Sequence, residues 1–168
     1  MGTRNDLAAE REGIKGAWSQ VDAALQLRNG LIPHLVEAVK GFAKQDQSIV
    51  DSVAKAHAAM VDARTPGEKI QADSEIRWAL GRLFVMVENY PNLKSNQNFL
   101  RLLDELAETD NLVAKERQKY NDAVKKYNTG IELFPKNIAA KMFAFQRENA
   151  YFTAAVGSSP AGYGGGRR

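Results

Sequence analysis

Residues 91–134 read PNLKSNQNFLRLLDELAETDNLVAKERQKYNDAVKKYNTGIELF, and the organisation of the whole chain follows from this segment. From Phe99 onward, its apolar and aromatic positions recur at alternating steps of four and three residues, which is the a/d spacing of a heptad repeat. Only Asp110 and Arg117 interrupt the stripe. A single helix cannot bury such a stripe, so the segment predicts one long helix that packs against several others. The stripe positions are Phe99, Leu103, Leu106, Asp110, Val113, Arg117, Tyr120, Val124, Tyr127, Ile131 and Phe134.

Residues 5–28 are the first of three further amphipathic segments that could cover this stripe. The Asn29-Gly30 pair, followed by Pro33, predicts a turn after this helix, because Asn-Gly supports positive φ and proline favours the first turn of a new helix. The a/d positions of the first helix are Ile14, Trp18, Val21, Leu25 and Arg28.

The alternative is one long helix that is kinked at Pro33, because the heptad phase continues across that residue. A helix from residue 5 to residue 62 would be about 87 Å long, whereas the third predicted helix reaches only about 36 Å. The N-terminal half of such a rod would then lack a partner for its apolar face. We therefore predict a turn, so that the first helix folds back along the second.

Residues 33–62 predict the second helix and residues 68–90 the third, with the breaker Thr65-Pro66-Gly67 between them. The third helix ends before Pro91, because the residue preceding a proline is pushed out of the α region. Asn92 or Ser95 is then the expected cap of the fourth helix. Residues 136–145 predict a short amphipathic segment that covers one end of the helices.

No alternating strand pattern occurs in the sequence, so we predict an all-α fold. The expected architecture is an antiparallel, up-and-down four-helix bundle with a short C-terminal helical segment. The bundle is expected to span residues 5–152, with a disordered end at 1–4 and a flexible, Gly-rich tail at 153–168. A length of 168 residues, of which 44% are hydrophobic and 26% charged, suits one such domain.

The composition excludes several classes of function. The net charge is only +3, and basic residues are interleaved with acidic ones, so nucleic-acid binding is not expected. The absence of cysteine excludes disulfides, thiolate nucleophiles and cysteine-ligated metal sites. No apolar run approaches the roughly 20 residues that a membrane-spanning helix needs.

Four residues are the candidates for metal-binding or enzymatic chemistry, and each has a simpler interpretation. His34 and Glu37 lie three residues apart, but in the reverse of the Glu-x-x-His order of di-iron bundles. His57 suits a hydrogen-bonded histidine at the core boundary. Asp110 is expected to pair with Arg117 or Arg28, since a buried charge must be partnered. The residues therefore identify no catalytic, cofactor or metal site.

The fourth helix carries an internal repeat, in which Tyr120-Asn121 recurs one heptad later as Tyr127-Asn128. This spacing places both pairs on the same face. They could form a polar network that sets helix register, which is the preferred interpretation, or line a binding groove. The same half of the helix is rich in lysine, which makes an anionic membrane surface a further possible partner.

Four blocks resemble the LemA family of bacterial proteins. They are RNGLIPHLVEAVKGFA (28–43), VENYPNLKSNQNF (87–99), RQKYNDAV with YNT (117–124 and 127–129), and Phe134-Pro135. The resemblance extends from residue 17 to residue 152. It implies a four-helix bundle that one N-terminal transmembrane helix tethers to a membrane, with no established activity, catalytic residues or cofactor. Nothing before Trp18 looks like that anchor, so this chain is expected to be a soluble domain of a membrane-associated protein.

The function predicted from these observations is a non-enzymatic interaction or scaffold domain that binds a protein partner. The residues expected to position its joints or contact that partner are Arg28, Asn29, Pro33, Glu37, Glu88, Tyr90, Pro91, Asn96, Asn98, Arg117, Tyr120, Asn121, Tyr127 and Asn128.

Overall fold

Five α-helices build the part of the chain that the structure describes. The computed structural model describes residues 2–132, 141–142 and 147–152. No strand occurs among these residues, which confirms the prediction of an all-α fold. A 3₁₀ turn at Lys44–Asp46 lies between the first two helices. The helices are α1 (Gly2–Lys40), α2 (Gln47–Asp62), α3 (Pro66–Val87), the single-turn α4 (Pro91–Lys94) and α5 (Gln97–Glu132).

The two longest helices, α1 and α5, lie side by side and run in opposite directions. The ring centroids of Trp18 and Tyr120 are 5.3 Å apart, and about three helical turns further on, Arg28 Nη1 lies 3.6 Å from Asp110 Oδ1. Residue numbers therefore rise along α1 as they fall along α5. The shorter helices α2 and α3 pack against each other, and α2 also contacts α1.

The heptad stripe of α5 forms the centre of the core, as predicted. Phe134 lies outside the described residues. Leu103, Asp110, Arg117 and Ile131 are partly buried, whereas the other stripe positions are at most 2% exposed. Those positions are Phe99, Leu106, Val113, Tyr120, Val124 and Tyr127.

The predicted turn at Asn29-Gly30 is wrong, because α1 continues through Pro33 to Lys40. The chain reverses instead at residues 41–46. The length argument failed because it compared the rod with α3 alone. The 39 residues of α1 and the 36 of α5 give lengths of about 59 and 54 Å. The N-terminal half of α1 therefore has a partner in α5, and Val21 and Leu25 are completely buried.

Local chemistry explains the remaining helix boundaries. Thr65 and Glu68 form a capping box at the start of α3, in which each side chain accepts from the other residue's backbone N–H. The cap of α5 is Asn96, whose Oδ1 accepts from the Phe99 N–H at 3.0 Å. The predicted caps Asn92 and Ser95 are wrong, because the proline-initiated helix α4 occupies that stretch.

Two further predictions concern the C-terminal part of the chain. Of the predicted amphipathic segment at 136–145, the structure describes only residues 141–142, which are helical. The predicted glycine-rich tail lies outside the described residues. Among the helices that are described, none contains an apolar window long enough to cross a membrane.

Replacing Pro33 by alanine is expected to stabilise the protein. Pro33 has no N–H to donate to the Asn29 carbonyl within α1, and its side chain is exposed, so no core contact is lost. Restoring that hydrogen bond should raise the free energy of unfolding by about 1–3 kcal/mol, measured by urea denaturation. The exposed neighbour His34→Ala serves as the control. An unchanged or lower urea midpoint for Pro33→Ala would contradict a continuous helix at this point.

Candidate functional site

A cluster of buried charges joins three helices at the centre of the fold. Arg28 of α1 is 0% exposed and forms an ion pair with Asp73 of α3, which is 2% exposed. Arg77 Nε lies 3.4 Å from the same carboxylate and Arg77 Nη2 lies 3.5 Å from Asp110 of α5. Two arginines and two aspartates therefore connect α1, α3 and α5 through short contacts.

This cluster fixes how the helices are placed relative to one another. A buried guanidinium is tolerated only where carboxylates reach it, so sliding α3 or α5 along α1 would leave a buried charge without its partner. Of the two partners predicted for Asp110, Arg117 and Arg28, the structure shows the ion pair with Arg28. Sequence reasoning missed Asp73 and Arg77, although Asp73 lies three residues before Ile76 and so continues the a/d phase of the third predicted helix.

Asn29, next to the buried arginine, binds the histidine that was a catalytic candidate. Its Oδ1 lies 3.0 Å from His57 Nδ1 of α2, and Asn29 is 3% exposed. The expectation of a hydrogen-bonded histidine at the core boundary is confirmed. This pair adds α2 to the three helices that the charge cluster joins.

The Tyr-Asn repeat of α5 lies on one face, as predicted, and holds an extended segment of the chain at residues 147–152. Asn128 Nδ2 donates to the Glu148 carbonyl and its Oδ1 accepts from the Glu148 N–H, both at 2.7 Å. Asn121 makes the same pair of hydrogen bonds with Phe152, both at 3.0 Å. Neither end of the segment is helical or stranded. The preferred interpretation, a network that sets helix register, is therefore wrong.

The spacing of the two asparagines matches the spacing of an extended backbone. One heptad of α-helix spans about 10.5 Å. Four residues of extended chain, from Glu148 to Phe152, span about 12–13 Å. The hydroxyl of Tyr120 donates to the Ala150 carbonyl midway along the segment.

Phe152 anchors the segment in an aromatic and cationic pocket. It is 6% exposed, and its ring centroid lies 6.3 Å from that of Tyr120 in an edge-to-face arrangement. The guanidinium carbon of Arg117 lies 4.7 Å above the Phe152 ring, which is cation–π geometry. Arg117, one of the two arginines predicted to pair with Asp110, thus contacts the Phe152 ring of this segment.

Burial changes the acid–base behaviour of this face. It raises the pKa of Tyr120 to about 12, and the nearby Glu148 carboxylate acts in the same direction. Burial also raises the pKa of Tyr127. For Arg117, desolvation and then the positive charge of Arg77 lower the pKa from its usual value. The tyrosine hydroxyls therefore stay protonated and remain available as hydrogen-bond donors at neutral pH.

The predicted residues near the α3–α5 connection fasten that connection. The Tyr90 hydroxyl donates to Asp46, which raises the pKa of Tyr90 and ties the end of α3 to the start of α2. Glu88 forms an exposed ion pair with Lys94 at 2.7 Å. Pro91 opens α4.

Two predicted residues lie at a surface pocket between α1 and α5 rather than at a joint. Glu37 and Asn98 line this pocket, whose volume is about 480 Å³, together with His34. Asn98 also accepts a hydrogen bond from Arg101 at 2.7 Å. The four metal or enzyme candidates consequently lie in three separate surroundings, and no group of three or more metal-ligating side chains occurs in the described residues.

One apolar surface lies on α3, on the outside of the bundle. Trp78 and Val85 are one heptad apart and are 60% and 64% exposed. They line a shallow pocket of about 390 Å³ together with Ile49 of α2 and Met86. Trp78 therefore does not belong to the core.

Comparisons with known proteins agree with this architecture. The sequence profile of the LemA family matches residues 17–161. A protein named LemA from Metamycoplasma hominis is 25% identical over 146 residues, which cover 84% of this chain and 65% of that protein. Two proteins named magnetosome protein MamQ, from Paramagnetospirillum magneticum and Magnetospirillum gryphiswaldense, are 33% and 28% identical over 89 residues. Those matches cover 53% of this chain, which spans about a third of the length of the MamQ proteins.

Removing the negative charge of Asp73 is expected to destabilise the fold strongly. Asp73→Asn leaves Arg28 buried without its closest carboxylate, which should cost about 3–5 kcal/mol of unfolding free energy in urea denaturation. The matched control is Glu12→Gln, which removes an ion pair with Lys15 whose side chains are about 70% exposed and should cost less than about 1 kcal/mol. Equal effects of the two substitutions would show that the buried cluster does not hold the helices together.

An alkaline titration should reveal the late ionisation of Tyr120. The folded pKa of Tyr120 lies above the usual 10.0, so its neutral form contributes stability below pH 10 that is lost as the pH rises towards 12. Tyrosinate absorbance should therefore show a step near pH 12 that coincides with loss of helical circular dichroism. Tyr120→Phe should remove that step, whereas the exposed Tyr151→Phe should not. A step that survives Tyr120→Phe would contradict this assignment.

Proposed function

The chain belongs to the LemA family, and from this premise we propose that it is a non-enzymatic interaction and scaffold domain of a membrane-associated bacterial protein. LemA is not a known enzyme family. The proposal is supported by the way in which the domain uses its polar side chains. The charged groups inside the fold bind one another across helices, as the contacts of Arg28, Asp73 and Asp110 illustrate.

The observation that carries the proposal is the exposed apolar surface of α3. A large indole that is 60% exposed, one heptad from an exposed valine and beside a shallow pocket, is typical of a surface that another protein covers. Tryptophan is also the residue type most enriched among residues that dominate binding energy. Trp78, Val85 and Ile49 are therefore the residues that we assign to partner contact.

A location at a membrane is supported by family membership and by the charge of α5. Lys115, Lys119, Lys125 and Lys126 are all exposed on its second half, where they can face anionic headgroups. Among the acidic residues in this half of α5, Glu116 is buried and lies 3.8 Å from Lys119 Nζ through its Oε1. Two of the similar proteins are named as magnetosome proteins, which supports the proposal that this domain acts at a defined structure of the cell.

Site-specific photocrosslinking tests the proposed contact surface. A photoreactive amino acid at Trp78 in the full chain, produced in its native cells, should give a discrete crosslinked protein of higher mass. Adding Val85→Glu should abolish that product, because a charge in the centre of the patch opposes desolvation. The control position is Lys15, whose side chain is 68% exposed on α1. The same products from Lys15, or none from Trp78, would contradict the assignment.

A further inference from the structure

We infer that the Tyr-Asn face of α5 is a binding site for an extended peptide of another protein, which residues 147–152 of this chain occupy as a displaceable internal ligand. This inference rests on the proposed interaction function and names a second surface for it. The chemistry of the occupant is read from the segment that is bound there. It is an extended backbone with an aromatic side chain at its last contact position.

The main recognition is of the peptide backbone. A carboxamide carries one acceptor and two donors, so it can pair with the N–H and C=O of a single residue. Asn128 does this with Glu148, and Asn121 does it with Phe152, four residues later. Because every residue except proline has this pair of groups, the two asparagines place few demands on side-chain identity. This mode resembles the addition of a strand to a sheet edge, with side-chain amides in place of the edge.

Selectivity comes from the pocket of the aromatic side chain. Phe152 packs against Tyr120, which in turn packs against Trp18, and the Arg117 guanidinium covers its ring. Arg117 Nε has no hydrogen-bond acceptor among the described residues, and the guanidinium carbon lies 4.7 Å from the centroid of the Phe152 ring. Another aromatic side chain in place of phenylalanine would fit this pocket, whereas a charged side chain would not.

Few side chains of the segment are buried, so replacement by a similar peptide would uncover little besides the Phe152 pocket. Within residues 147–152, Phe152 alone is buried, whereas Asn149 and Tyr151 are exposed. Arg147, at its start, pairs with Glu132 through side chains that are 50% and 60% exposed. An internal ligand of this kind competes at a millimolar effective concentration, so an outside peptide binds well only when the internal contacts are weakened.

Fluorescence anisotropy with a defined peptide tests the inference on the full-length chain. The probe is the labelled hexapeptide Arg-Glu-Asn-Ala-Tyr-Phe with a blocked C-terminus, which copies residues 147–152. It should bind the Phe152→Ala protein at least about tenfold more tightly than the wild type, because the internal competitor is weakened. Adding Asn121→Ala and Asn128→Ala to that protein should remove the gain.

Two altered peptides separate backbone recognition from general stickiness. N-methylation of the phenylalanine amide removes the N–H that donates to the Asn121 side-chain oxygen. This change should weaken binding by about tenfold. Replacing the peptide's asparagine, which corresponds to the exposed Asn149, by alanine should change binding by less than about twofold. Glu148→Pro in the protein is the second variant that frees the site, because it removes an internal N–H donor without touching Phe152. Helical circular dichroism and a cooperative melting transition confirm that both variants are folded, although Phe152→Ala is expected to melt at a lower temperature because it removes a buried ring.

Several outcomes would overturn the inference. They are equal binding by wild type and both freed variants, or equal binding of the N-methylated peptide. A wild-type dimer that the hexapeptide dissociates would show that a second copy, not another protein, supplies the occupant. Crosslinking from Trp78 is independent of this face. If crosslinking from Trp78 succeeds and the peptide does not bind as expected, only the α5 site is contradicted. If the peptide binds as expected and crosslinking fails, only the α3 contact is contradicted.

Discussion

The burial of one guanidinium constrains the rest of the structure. Arg28 is completely enclosed, and its charge is balanced by Asp73 from α3 and Asp110 from α5. Hydrophobic packing alone would allow helices to slide by a turn at small cost, since apolar contacts are not directional. A buried ion pair does not allow it, because a slipped helix leaves an uncompensated charge in a low dielectric. The register of three helices thus depends on this cluster.

The two longest helices, α1 and α5, extend beyond the shorter hairpin of α2 and α3. The C-terminal half of α5 pairs with the N-terminal half of α1, and their shared face would remain partly open without a further covering element. The segment at 147–152 supplies part of that cover through Phe152, and hydrogen bonds from Asn121 and Asn128 satisfy its backbone. A chain that is neither helix nor strand can lie there only because side-chain amides replace the missing ladder.

In this domain the buried polar side chains bind one another, whereas polar side chains at the surface are available to bind another molecule. The residues that resembled catalytic candidates, such as His57 and Asp110, are held by Asn29 and by arginines. The two surfaces that we propose for recognition are the exposed indole of Trp78 and the amide face of α5. The two surfaces belong to different helices and differ in chemistry, since one is apolar and the other pairs with a peptide backbone.

The sequence by itself determined which face of each helix is buried, because heptad periodicity is a local property of the chain. The stripe on α5 and the shared face of Asn121 and Asn128 followed from spacing, whereas for Asp110 the sequence indicated an arginine partner without deciding between Arg28 and Arg117. Only the tertiary structure decided which elements meet those faces. Whether Pro33 ended a helix depended on the length of α5, far along the chain. The position of residues 147–152 carries no periodic signal, because an extended segment is specified by its partner rather than by its own pattern.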